Sequence, residues 1–408
     1  MSQRDRLLMG SVLQRNLPSL LILGVLALAL VIAVANLLGV VGSFEPNAVG
    51  VFFQALLLSA LLSLMPLAIL WYLDRRERES PIAVMTAILW GGLIATGLSA
   101  PLNTIIIQSL GNWIATTPAI QDRLGSEAAF LIGAPLAGPI VEETLKGLGI
   151  LALLLLLRAE FDNMRDGFIY GALVGLGFTC IESALYVAQN YAAFGFAPWG
   201  LQLGGRYSLF GMSGHVLFSG ILGLFLGLAL QTSRTWVRIA APLVGWLLAM
   251  AAHAIYNVLP LVLTLVLGNE GDRSETGPPP NPSFIEAFVQ RSVMDLIVFL
   301  PFLVLVLVLL WRSGVWERTI IRAELRDEVG TWVTPEEYER IQRDGIFQSR
   351  RIGKAQRRLS EALVNAQNEL AFRKYHVRQR GENPDSDALV ASWREEIASL
   401  RVELGAPV

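Results

Sequence analysis

Cysteine is nearly absent from this sequence: Cys180 is the single one in 408 residues. That excludes an internal disulfide framework and any zinc cluster held by cysteines. Histidine is scarce too, with three in all. None falls in an H-E-x-x-H pattern, so the commonest helix of zinc proteases is missing. Charge is thin: Asp, Glu, Lys and Arg make up 16%, against roughly 25% in a soluble domain. Half of the 32 Lys and Arg lie after residue 313, so the rest of the chain is poorer still. With a net charge of −2 and no basic recognition motif, nothing points to a nucleic acid or a nucleotide as partner. A G-x-S-x-G nucleophile elbow is also lacking, because Gly211-Met212-Ser213-Gly214-His215 departs from it. Ser213 is read instead as a small residue for close helix packing.

What is plentiful is apolar sequence, 53% of the chain. About 20 helical residues cross the hydrocarbon of a bilayer. Runs of that kind lie near 17–41, 50–73, 82–108, 128–157, 166–192, 206–231, 236–267 and 285–311. In lipid the backbone must satisfy its own hydrogen bonds, so the runs are expected to be helices. The fold class is then all-α, a polytopic membrane helix bundle with about eight transmembrane helices. The first run, Leu17 to Val41, is too long for the core of a signal peptide and is read as a retained helix. A break is expected near Ser99-Ala100-Pro101 and a kink at Pro260.

Loop cations set the expected orientation. Arg4, Arg6 and Arg15 precede the first span, Arg75, Arg76 and Arg78 follow the second, Arg158 and Arg165 the fourth, and Arg234 and Arg238 the sixth. The alternate loops carry only Arg123 and Arg273. The positive-inside rule then puts both termini in the cytoplasm of a cell-membrane protein. Four regions result: 1–127 with three spans, a four-span core at 128–267, an external Pro-rich loop and last span at 268–313, and a soluble helical tail at 314–408. In the tail, Thr334-Pro335-Glu336-Glu337 supplies an N-cap, a proline at the first helical position and a capping-box glutamate. Helices are expected at 335–344, 354–378 and 385–403, with His376 on a solvated surface.

The informative residues are those that do not belong in lipid. Span four carries Glu142, Glu143 and Lys146; span five, Glu182; span six, His215; span seven, His253, Tyr256 and Asn257. An unpaired charge at mid-bilayer costs about 2.5–3.5 kcal/mol, so these groups are expected to meet in one polar cavity. At about 1.5 Å rise per residue, Glu142, Glu182 and His253 fall within roughly one turn of mid-membrane. Lys146 is placed to pair with Glu142 (i, i+4) or Glu143 (i, i+3). Asn257 shares a face with His253, and Tyr186 with Glu182. No Asp lies at mid-membrane in spans four to seven, which removes an aspartyl pair. Asp295 is expected to pair with Arg291, one turn earlier.

This set suits peptide hydrolysis. A buried glutamate can act as general base toward water, and His and Asn can donate to the oxyanion. A metal version stays open, because Glu182, His215 and His253 are the ligand types of an open zinc site. A secondary transporter or ion channel using the buried carboxylates, and an inactive membrane scaffold, are the competing readings. A transporter would be expected to show inverted repeats and paired broken helices, which are not evident.

The motifs resemble those of the PrsW family of intramembrane proteases, relatives of the type II CAAX prenyl endopeptidases. Glu142-Glu143-Thr144-Leu145-Lys146 resembles its E-E-x-x-K signature. Phe178 to Glu182 resembles F-x-x-x-E, and Arg206 with His215 to Gly220 resembles R…H-x-x-x-S-G. His253 to Asn257 resembles H-x-x-x-N. The likeness covers about residues 128–260. Ser183 departs from the Asn expected after the second motif. The resemblance implies cleavage of a membrane-anchored protein substrate, such as an anti-sigma factor. It implies Glu142 as activator of water, Glu143 as support, and His215 as orienting group. His253 and Asn257 would stabilise the oxyanion, with Lys146, Tyr186 and Arg206 assisting.

Overall fold

Proline and glycine decide where the first helices bend. A computed structural model of the chain describes residues 16–74, 79–119, 128–157, 163–267, 282–345 and 356–405, with Ser11 and Phe161 besides. Among the described residues the secondary structure is helical apart from one isolated bridge, Val329 to Val333. Helices α1 (Asn16–Gly42), α2 (Pro46–Leu62) and α3 (Leu64–Leu73) come first. Then α4 (Pro81–Leu89) runs through a wide π-helical turn, Trp90–Ala95, into α5 (Thr96–Ala115). The expected break at residues 99–101 is thus corrected: Pro101 sits inside α5, and the irregular turn precedes it. Pro101 cannot donate to the carbonyl of Gly97. The Asn36 side chain on α1 donates to that carbonyl instead, at 3.0 Å, so it is not left bare in the apolar interior.

The core elements are α6 (Ala128–Leu156), α7 (Met164–Phe194), α8 (His215–Gln231) and α9 (Thr235–Leu267). Helix α9 continues through residue 260. Span six is shorter as a helix than its expected 206–231. Leu209, Phe210, Gly211 and Gly214 all have positive φ, and four such positions cannot continue a right-handed helix. The expected last span, 285–311, is also corrected. It is two helices, α10 (Phe284–Val298) and α11 (Leu300–Glu324), parted at Phe299 with a proline in the first turn of α11.

Among the described residues, seven stretches are long and apolar enough to cross a membrane: Ser19–Gly42, Pro46–Leu73, Pro81–Ala115, Met164–Phe194, Leu209–Gln231, Thr235–Leu259 and Leu300–Glu328. Helix α6 matches them in length at 29 residues and carries Glu142, Glu143 and Lys146. The chain is a multi-pass helical membrane protein. Helix α7 is buried along almost its whole length, whereas α1 turns leucines and valines outward. Glycine lets α8 lie directly on α7. A Cβ on Gly171 would overlap the Ser219 carbonyl, and one on Gly175 the carbonyl of His215.

Helix α11 is continuous across residues 313–314 and leads into the tail helices α12 (Pro335–Gln342), α13 (Arg357–Gln379) and α14 (Ala388–Leu404). The Thr334 capping box is present: its hydroxyl accepts from the Glu337 N–H, and Glu337 accepts from the Thr334 N–H. Ile320, Leu325, Val333, Leu370, Phe372, Val390 and Ile397 form a second core. His376 is half-buried against Tyr375 rather than fully solvated. Arg4, Arg6, Arg15, Arg75, Arg76, Arg78, Arg123, Arg158, Arg273 and the stretch 277–281 lie outside the described residues.

Candidate active site

Two adjacent glutamates on α6 start the site, and their surroundings divide them. Glu143 has no exposed surface. Its Oε1 accepts from Lys146 Nζ at 2.8 Å and from His253 Nδ1 at 3.0 Å, and its Oε2 accepts from Ser219 Oγ at 3.1 Å. Glu142 is held more loosely. Its Oε2 lies 3.4 Å from Lys146 Nζ and 3.9 Å from His253 Nε2, and its Oε1 accepts from Asn103 Nδ2 at 3.0 Å. Both expected pairings of Lys146 are therefore made. The ammonium also lies 3.7 Å from the centre of the Phe178 ring.

Hydrogen-bond chemistry fixes the imidazoles. A carboxylate only accepts, so His253 carries its proton on Nδ1 toward Glu143, which leaves an acceptor at Nε2. An ammonium only donates, so His215 Nδ1 accepts from Lys146 Nζ at 2.9 Å. Its Nε2 then donates to Glu182 Oε2 at 2.8 Å. The two rings meet edge-on with centroids 4.9 Å apart, and Phe218 stacks on His253.

Glu182 closes the far side. Its Oε2 also takes a charge-assisted hydrogen bond from Arg206 Nη1. Arg206 donates as well to Gln202 and lies over the Tyr186 ring. Asn257 sits one turn after His253, next to the bare face of Gly138. All the sequence-predicted residues thus gather in one neighbourhood. One placement differs: His215 is the first residue of α8, not a residue deep inside a helix.

Asp295 fixes the turn that presents His215. It is fully buried, and its Oδ2 accepts from Ser208 Oγ at 2.6 Å and Ser213 Oγ at 2.7 Å. The expected pairing of Arg291 with Asp295 is made through Nε at 2.8 Å. Ser213 is therefore a link in this clamp and not only a small packing residue. Asn103, Ser219 and Asp295 were missed as site residues. Asn103 and Asp295 lie outside the motifs, and only folding brings α5 and α10 beside the core.

The metal-ligand set differs from the expected one. Among the described residues, the ligand atoms of Glu142, His215 and His253 lie within 4.8 Å of one another, and all three residues are buried. Glu182 is not in that group; its Oε2 is shared by Arg206 and His215. Two imidazoles and a carboxylate suit zinc, but Lys146 already engages the His215 Nδ1 lone pair.

Residues 79–271 match the profile of a family described as "PrsW family intramembrane metalloprotease". "Protease PrsW" of Oceanobacillus iheyensis is 34% identical over 100 residues, which are 24% of this chain and 41% of that protein. The Geobacillus kaustophilus protein of the same name is 31% identical over 103 residues, 24% of this chain and 40% of its own. That of Bacillus subtilis is 34% identical over 94 residues, 23% and 38%. The match spans about two-fifths of the length of these relatives. No solved structure matches the chain.

Proposed function

We propose that the chain, whose residues 79–271 match the profile of the PrsW family of intramembrane metalloproteases, hydrolyses peptide bonds of membrane-anchored proteins within the bilayer. The observation that carries this is the meeting of Glu142, Glu143, Lys146, His215 and His253, from three helices, in one buried cluster. Such a cluster is costly in lipid unless it has work to do.

In this reading Glu142 is the general base. It is the carboxylate with fewer fixed partners, while Glu143 is tied by Lys146, His253 and Ser219. Glu143 holds the His253 ring, Lys146 balances the paired carboxylates, and His215 orients the group between Lys146 and Glu182. Asn257, beside Glu142, donates to the oxyanion. Arg206 and Tyr186 fix Glu182. Glu142, His215 and His253 would hold a zinc ion only in a form in which Lys146 has left His215 Nδ1, and there Glu142 is a ligand and not the base. Such an ion supplies Lewis acidity toward the carbonyl and lowers the pKa of water. The substrate is a membrane-anchored protein, and processing of a signalling regulator such as an anti-sigma factor belongs to the same proposal. Both termini face the cytoplasm.

The test compares membrane proteomes of cells carrying the active chain and its Glu142→Gln variant. Loss of general base catalysis is expected to lower cleavage at least about 100-fold. The variant should insert and melt like the parent. Products that accumulate equally with both chains would remove the proposal.

A further inference from the structure

Asn103 lies on α5, outside every motif noted in the sequence. Its Nδ2 donates to Glu142 Oε1 at 3.0 Å. Chemistry settles which amide atom faces the carboxylate: only the NH2 can donate, so Oδ1 is the other end. That Oδ1 is buried and has no hydrogen-bond partner among the described residues. Buried carbonyl oxygens are nearly always satisfied, and an exception calls for a water or a reacting group. Gly138, one turn before Glu142, adds a second observation. A Cβ there would stand 3.5 Å from Glu142 Oε1 and 3.5 Å from Asn257 Nδ2, ordinary contact distances. Gly138 thus puts no side chain of its own against that carboxylate oxygen.

Resting on the peptidase reading above, we propose that Asn103 is a catalytic residue that holds the attacking water. Its Oδ1 accepts one O–H of the water while Glu142 Oε1 accepts the other, on the side that Gly138 leaves open. With both hydrogens engaged, a water lone pair is aimed at the scissile carbonyl carbon. The O–C bond forms as one water proton passes to Glu142 and the carbonyl π pair moves onto its oxygen. That proton then goes to the amide nitrogen as the C–N bond breaks, giving a carboxyl and an amine product. Asn103 exchanges no proton, and its N–H keeps Glu142 turned toward the water.

The test uses the purified full chain in detergent with a quenched-fluorescent library of single-span peptides. Asn103→Ala is expected to lower kcat about 100-fold with KM within about twofold, the pattern of lost positioning. Asn103→Asp, nearly isosteric, keeps the oxygen but loses the donor, and should fall as far. Gly138→Ala fits without overlap, so it should melt like the parent while slowing turnover. A kcat for Asn103→Ala within about threefold of the parent overturns the proposal. Glu142→Gln runs alongside: an active Glu142→Gln would remove Glu142 as the base, whereas a parent chain that cleaves no peptide would mean that the peptidase reading itself fails. A density map of the unmutated chain at about 2 Å decides the matter without any variant. It should show a water within hydrogen-bond distance of both Asn103 Oδ1 and Glu142 Oε1, and an empty position there overturns the assignment.

Discussion

Lys146 shows how few residues hold the site together. Its side chain has no exposed surface, and its ammonium meets Glu143, Glu142 and His215. Removing one partner of a buried ion pair leaves an uncompensated charge, at a cost of about 3–5 kcal/mol. Lys146→Met should therefore lower the melting temperature of the detergent-solubilised chain by many degrees, read by intrinsic tryptophan fluorescence. A melting temperature within a degree of the parent would mean that the carboxylates do not depend on this cation. The tie of Glu143 to Lys146, His253 and Ser219 has the same logic: in the proposed reading it is a framework carboxylate, and Glu142 is the base.

At the scale of elements, helix contact sets the position of His215. Gly171 and Gly175 let α8 rest on α7, so that the first residue of α8 meets Glu182, which α7 carries. The left-handed turn before it is held from α10 by Asp295, through Ser208 and Ser213. Asp295→Ala would leave both hydroxyls and Arg291 without their acceptor, again at about 3–5 kcal/mol. The expected outcome is a lower melting temperature together with loss of peptide cleavage. Retained activity at an unchanged melting temperature would show that His215 needs no such clamp.

At the scale of the whole molecule, the tail is joined to the core through α11. Glu317 on α11 pairs with Arg165 of α7 at 2.7 Å, and Ser313 bonds to Asn163, the N-cap of that helix. The tail and the helix carrying Glu182 therefore share a joint. Within the tail, α13 and α14 are linked by Arg373 and Asp387. Burial works against ionisation of Asp387, but hydrogen bonds from Arg373 and from the N–H groups of Val390 and Leu389 outweigh it. They hold the carboxyl below its ordinary 3.8. A depressed carboxylate stabilises the fold above its ordinary value and ceases to do so as pH falls through the folded one. Protection of the α14 amides, relative to the intrinsic exchange rate at each pH, should therefore be high at neutral pH and fall as the pH drops below about 3.8. An Asp387→Asn variant should show the lower protection already at neutral pH.

The sequence by itself determined the helical membrane class, the order of the spans and which ionisable residues lie inside them. Apolar run length and buried charge are one-dimensional signals, and lipid leaves the backbone little choice but helix. The capping box at Thr334 and the pairings of Lys146 were legible for the same reason, because partners three or four residues apart share a helix face. Only the tertiary structure decided where the last span begins, that His215 opens a helix, and that Glu142 rather than Glu182 groups with the two histidines as a candidate ligand set. It also brought Asn103 and Asp295 to the site. Those outcomes depend on contacts between α5, α6, α8 and α10, and no local spacing encodes which side chains meet when separate helices pack.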